Sequence, residues 1–163
     1  MGCNSVLSGL GVVPIVAALC FAQQVSGVHP DFSGNWKLDQ DKSWYSAHGG
    51  PFCTALRVQQ RGNHYKEVLV KPGPLGDNEL PELTYVVDGA EHTTRLGREN
   101  LKTSATWEGR SLIILWKSRR AGSEAQLKRT LALSQSGQTL VVEVYFRGET
   151  RQPDQQLLFQ KNP

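Results

Sequence analysis

Cysteine is scarce in this chain of 163 residues, with only Cys3, Cys20 and Cys53. Cys3 and Cys20 fall in an N-terminal stretch with the layout of a removable leader, so the remainder keeps Cys53 alone and no internal disulfide can form there. The expected state of Cys53 is a small buried apolar residue, with a reactive or intermolecular thiol as the alternative. Charge of one sign is also in short supply. A formal net charge of +3 is too small to imply a nucleic-acid or membrane-surface partner. Catalytic signatures are missing: there is no Gly-x-Ser-x-Gly elbow, no His-Glu-x-x-His, no phosphate-binding glycine loop and no Cys-x-x-Cys. The four histidines, His29, His48, His64 and His92, are dispersed without ligand spacing, so no metal and no cofactor is expected. Asp88 and Glu91 flank a turn and are explained by turn preference, not by acid/base pairing. The sequence therefore speaks against an enzyme.

Helical periodicity is absent after residue 22, which directs the fold class toward all-β. Before that point, Leu10 to Ala22 is an apolar run followed by Gln23-Gln24, the layout of a signal peptide. Its apolar core is shorter than the roughly 20 residues a bilayer span needs, and Pro14 opposes a permanent helix. Cys20 and Ala22 offer small residues to a signal peptidase, placing the cut after Ala22. Anchoring through a lipidated Cys20 is disfavoured by the bulk of Leu19. The expected organisation is a signal peptide over 1–22, a linker over 23–30 and one domain over 31–163, secreted or periplasmic and with no membrane span after cleavage. About 140 residues suffice for a single core.

What is present begins with Asp31 to Leu38, Asp-Phe-Ser-Gly-Asn-Trp-Lys-Leu. In a strand, residues two apart share a face, so Phe32, Gly34, Trp36 and Leu38 form an apolar wall and Ser33, Asn35 and Lys37 face away. Gly34 and Trp36 are structural candidates: a missing side chain between two rings lets another strand or a bent backbone come close. Phe32-Ser33-Gly34-Asn35-Trp36-Lys37-Leu38 resembles the opening strand of the calycin superfamily, the lipocalins and fatty-acid-binding proteins, and more closely that of the small secreted lipocalin-like proteins of bacteria. Ala105-Thr106-Trp107-Glu108-Gly109 resembles the aromatic-acid-glycine hairpin of the same superfamily. The resemblance implies a lipocalin-like barrel that binds a small apolar or amphipathic ligand. The fatty-acid-binding branch fills the place after the first strand with two helices. Here Leu38 to Thr54 is too short for two and carries Gly49-Gly50-Pro51, so one mouth of the barrel is open or covered by a loop.

The rest of the chain reads as strand, turn, strand. Leu56, Val58 and Gln60 alternate with polar residues, Gly62-Asn63 turns the chain, and Tyr65, Glu67 and Leu69 share the next inner face. Lys71 to Glu82, with three prolines and two glycines, reads as a mouth loop. Leu83, Tyr85 and Val87 precede Asp88-Gly89, which reads as a hairpin turn into a return strand from Ala90 to about Leu96. Strands follow over Leu101 to Trp107, Ser111 to Lys117, Ala125 to Ser134, Thr139 to Arg147 and Gln155 to Lys161. The expected architecture is an antiparallel up-and-down β-barrel of about 8 to 10 strands.

Within that frame Arg129 is the residue out of place, because alternation sets its guanidinium among Leu127, Leu131 and Leu133. A buried guanidinium needs a carboxylate partner, an aromatic face or an anionic ligand. The lipocalin resemblance implies stacking over Trp36; a ligand carboxylate and a surface position after a register slip remain open. Tyr85, Trp107 and Trp116 are the candidate apolar walls of a ligand site together with Arg129. Tyr145 and Arg147 reverse the Arg-x-Tyr order of fatty-acid-binding proteins and read as outer-face residues, and Lys117, Arg119 and Arg120 as solvated charges at a hairpin tip. Leu112 to Trp116 is apolar on both faces and requires cover on both sides, from a loop, a helix or a second copy of the chain. The functional expectation is a binding barrel; the alternative is a filled barrel serving as an envelope structural or protein-interaction module, and an enzyme of calycin shape ranks below both.

Overall fold

A computed structural model describes residues 29–45, 50–97, 99–120, 123–146 and 152–162. The segment expected to be a signal peptide, most of the expected linker, His48 and Arg147 lie outside the described residues. Strand follows strand: β1 Gly34–Leu38, β2 Ala55–Arg61, β3 His64–Lys71, β4 Asn78–Glu79, β5 Leu83–Val86, β6 His92–Leu96, β7 Glu99–Glu108, β8 Ser111–Arg120, β9 Ser123–Leu133, β10 Thr139–Tyr145 and β11 Gln155–Asn162. Ten of them form one curled path in the order β4-β3-β2-β1-β11-β10-β9-β8-β7-β6, with β5 added against β3. All ladders between strands are antiparallel. The first and last strands are neighbours, Trp36 standing opposite Lys161 and Leu38 opposite Phe159.

The curl joins its two margins at one end and leaves them apart at the other. Val87, just past β5, bridges to Ala105 of β7 in parallel, and the Gly89 N–H donates to the Ala105 carbonyl at 2.9 Å. Among the described residues no ladder joins β4 or β5 to β6. Asp88-Gly89 is therefore not the hairpin turn its sequence predicts. Its neighbours pair elsewhere, β5 with β3 and β6 with β7, and the turn carries the chain across the closing seam of the sheet. The reason is tertiary: the partners offered by β3 and β7 take up the hydrogen-bonding groups that a local hairpin would have used.

The registers also sort the connections by end. The turns at Gly62, at Gly109 and at 134–139 gather at the end where Phe32 lies. The strand ends at Leu38, Lys71, Leu96, Arg120 and Tyr145 gather at the other. Phe32, Trp36 and Trp107 fill the first end: the Trp36 indole N–H donates to the Phe32 carbonyl at 2.8 Å, and Phe32 stacks on Trp107 at 5.7 Å. His29 stacks on Trp107 as well, at 4.3 Å. Gln60 stitches this corner by accepting from Phe32 N–H and donating to the Pro30 carbonyl. Trp107 thus packs at the closed end, away from Arg129.

Alternation in the opening strand holds, with Phe32, Trp36 and Leu38 buried and Asn35 and Lys37 exposed. Gly34 is required by its backbone, since the side-chain atom nearest to it is the far end of a flexible lysine that can move aside. Its φ is +142°, and a Cβ there would lie 2.8 Å from Cε of Lys161, whose ammonium sits 5.4 Å from the centre of the Trp36 ring. The stem that comes close belongs to β11, the strand paired with β1. On the doubly apolar strand, Leu112, Ile114 and Trp116 are buried inside while Ile113 and Leu115 are half-buried outside. Their flanks are Thr106 and Thr130, and Ser104 and Lys128, across the neighbouring strands.

Candidate functional site

The middle of the barrel is built around a buried ion pair. Arg129 of β9 and Glu67 of β3 point inward from strands on different parts of the sheet, and neither side chain has accessible surface. Both terminal guanidinium nitrogens donate to the carboxylate, Nη1 to Oε2 at 3.1 Å and Nη2 to Oε1. Tyr85 donates to Glu67 Oε1 at 2.8 Å and Tyr65 to Oε2 at 3.4 Å. The Trp116 indole N–H in turn donates to the Tyr85 oxygen at 2.9 Å. The carboxylate so accepts from two charged and two phenolic donors, which is what makes a buried charge tolerable. Arg129 Nε alone has no partner among the described residues.

The aromatic faces complete the enclosure. The Arg129 guanidinium carbon lies 4.9 Å from the centre of the Trp116 ring and 5.5 Å from that of Phe52, within cation–π range. Arg129 does not stack over Trp36, which is covered by Lys161 instead. Burial by itself would lower the arginine's proton affinity, but Glu67 and then Tyr85 outweigh it and hold the guanidinium charged. The phenols go the other way. Burial first and the neighbouring carboxylate second push Tyr65 and Tyr85 well above the usual tyrosine range. Cys53 is buried beside them and its thiol is pushed up to about 12, chiefly by burial. A thiol in that state is not a nucleophile at neutral pH.

Above this layer, toward the open end, the irregular segment before β2 turns a side chain into the barrel. Phe52 is 7% exposed, and Gln155 of β11 holds its backbone by accepting from Phe52 N–H at 2.7 Å and donating to the Gly50 carbonyl at 2.9 Å. The ring meets Trp116 at 6.0 Å and Phe146 at 6.5 Å. Lys71, half-buried at the end of β3, places its ammonium 4.6 Å from the centre of the same ring. Phe146 is 43% exposed and borders an open depression of about 570 Å³ lined also by Lys117, Glu124, Ala125 and Gln126. A second depression, about 560 Å³, lies on the outer face by Asn35, Lys37, Arg57 and Glu79.

Of the residues singled out from the sequence, the structure thus brings Arg129, Tyr85 and Trp116 together and leaves Trp107 at the closed end. Glu67, Phe52 and Gln155 belong to the site and were not singled out. A signal for Glu67 was present: Tyr65, Glu67 and Leu69 alternate on one face, which puts a carboxylate inward just as Leu127, Arg129 and Leu131 put a guanidinium inward. Phe52 and Gln155 carry no such signal, since one is in irregular chain and the other opens a strand. Among the described residues no group of His, Cys, Asp or Glu is placed to hold a metal ion.

No protein-family model and no curated protein matches this sequence. In fold the chain is similar to the crystal structure of secretory abundant heat soluble protein 4 from Ramazzottius varieornatus, with a TM-score of 0.51 and 18% identity, covering 81% of this chain and 95% of that one. The likeness is one of fold: an all-β, antiparallel, barrel-like sheet.

Proposed function

We propose that this chain is an exported, non-catalytic barrel of calycin type that binds a small apolar or amphipathic molecule at its open end. The observation that carries this reading is the depression of about 570 Å³ lined by Phe146, Ala125, Lys117, Glu124 and Gln126, a volume within the usual range for small-molecule sites of about 300–1,000 Å³; the buried rings of Phe52 and Trp116 stand behind Phe146. The middle of the barrel is not the binding volume. Arg129, Tyr65, Leu112, Ile114 and Leu131 have no accessible surface, so they border neither solvent nor a void that could hold a water. Contact with a ligand therefore moves outward, from Arg129 and Tyr85 to Phe146 and Ala125 at the rim. The opening-strand motif supports the calycin assignment, and the leader-like N-terminal stretch supports export, as does the secretory character stated in the name of the protein from Ramazzottius varieornatus.

A second reading, a filled barrel acting as a protein-interaction module, is favoured by one observation. Trp44, Leu75 and Phe146 are 60%, 102% and 43% exposed, and all three stand on connections at the open end. Native mass spectrometry of protein purified from its exported fraction separates the two. A stoichiometric small molecule released on denaturation supports the binding barrel; a bare chain, monomeric or dimeric, overturns it in favour of the interaction module.

A further inference from the structure

Beside the Gly62 turn, the outer wall of the barrel carries a cluster of basic side chains that packing of the interior does not explain. Val58 and Tyr65 are buried, so alternation along β2 and β3 turns Gln59, Arg61, His64 and Lys66 outward. The register sets Arg61 directly opposite His64 and Gln59 opposite Lys66. These four side chains line a depression of about 290 Å³, and no carboxylate is among its described lining residues. Cross-strand neighbours of like charge cost stability unless a counter-charge joins them. The acids nearby are engaged elsewhere: Glu82 pairs with Lys66 at 3.0 Å, Glu79 with Arg57 at 3.1 Å, and Asp31 accepts from the Ser33 N–H at 2.8 Å. Among the described residues the side chains of Arg61 and His64 have neither an ion pair nor a hydrogen bond.

We propose that this depression is an oxyanion site for a single phosphate group, taken up as the free ion or as the end of a small polar ester. Arg61 offers a planar fork of N–H donors, His64 a ring N–H, Gln59 an amide NH₂ and Lys66 an ammonium that gives one hydrogen bond to Glu82 and keeps two N–H donors. Donors from both strands of the hairpin outnumber the two oxygens of a planar carboxylate and suit the three free oxygens of a phosphate ester. The charge count fits the same class. Lys66 and Glu82 cancel, Arg61 leaves one positive charge, His64 adds a second when it carries a proton, and a phosphate ester brings between one and two negative charges. The volume is at the small end for ligand sites, with room for the group and little beyond it. This site is on the outside of β2 and β3, away from the depression at Phe146, and stands independently of the apolar ligand proposed above.

Backbone amide NMR shifts, followed while inorganic phosphate replaces chloride at constant ionic strength, test the assignment. The shifts are expected to centre on Gln59 to Lys66 and to saturate with a dissociation constant of about 1 mM, while acetate binds about tenfold more weakly. Arg61→Gln is expected to weaken phosphate about tenfold and His64→Gln about threefold. Both residues are exposed, so the variants are expected to keep the fold, which the unchanged remainder of the spectrum checks. Arg57→Gln, which removes a neighbouring cation already paired with Glu79, is expected to leave phosphate binding as it was. Glycerol phosphate separates the two sources of the group: affinity equal to that of inorganic phosphate supports an ester, and its exclusion supports the free ion. Phosphate that binds no more tightly than acetate, or with unchanged affinity in Arg61→Gln, overturns the oxyanion site.

Discussion

The two ends of this barrel are both made of aromatic side chains beside cations, yet they differ in what surrounds the rings. At the closed end Trp36 is 1% exposed, donates its N–H to a backbone carbonyl and lies under the Lys161 stem, while Phe32 has no exposure and stacks on Trp107. At the open end Phe146 is 43% exposed and Phe52 hangs from an irregular segment by way of Gln155. Between them the Arg129–Glu67 layer separates a packed volume from an accessible one. Rings enclosed on every side define a core; a ring left half open to solvent, as Phe146 is, defines a surface.

Breaking the separating layer is expected to have the largest effect. Arg129→Met or Glu67→Gln alone leaves a buried partner unpaired, together with the phenols that rely on it, and is expected to cost about 3–5 kcal/mol in urea unfolding. Combining Arg129→Met with Glu67→Leu is expected to recover part of that loss, because the uncompensated charge is gone. A double mutant no more stable than the singles would show that the phenolic hydrogen bonds, not the charges, dominate the layer. The contrast between the ends comes next. Phe32→Ala is expected to cost about 3–5 kcal/mol, whereas Phe146→Ala is expected to stay within about 0.5 kcal/mol. Equal losses at the two positions would erase the distinction drawn here.

The smallest effect is on pH dependence, and its sign follows from the buried acids. The Cys53 thiol titrates at about 12 in the folded chain against about 8.5 in the unfolded one. Between those values the unfolded state releases a proton that the folded state retains. Stability is therefore intact below the unfolded value and falls as pH rises toward the folded one. Tyr65 and Tyr85, raised by burial and by Glu67, act in the same direction. Cys53→Ala is expected to flatten the fall between about pH 9 and 12 when urea midpoints are followed across that window; an unchanged slope would assign the alkaline loss to the phenols alone.

Much of this architecture is legible in single strands, because alternation is a local property. Phe32, Trp36 and Leu38 turn inward as their spacing predicts, and Tyr65, Glu67 and Leu69 do likewise. Pairing between strands is less legible. Asp88-Gly89 has the chemistry of a hairpin turn, but whether β5 pairs with β6 or with β3 depends on where the sheet closes, and two residues carry no information on that. Arg129 could be placed inside from its leucine neighbours, and its need for a carboxylate, an aromatic face or a ligand could be stated. Which of these supplied the need could not, since Glu67 lies 62 residues away in sequence and meets Arg129 only once the sheet has curled. The role of Phe52 was hidden for a related reason: an aromatic residue in irregular chain has no period to reveal its direction.

The pairing of β1 with β11 also bears on the order in which the molecule can be assembled. Ser43, just after β1, hydrogen-bonds the Leu158 backbone across 115 residues of sequence, and such distant contacts form slowly because a long loop must close first. A chain emerging amino terminus first presents β1 with one edge paired to β2 and the other open until the final strand arrives. During that interval the exposed edge invites pairing with another molecule. The last eight residues of the sheet, Gln155–Asn162, thus act as a seal, and a chain truncated before them is expected to aggregate even though every residue around Arg129 and Glu67 is already present.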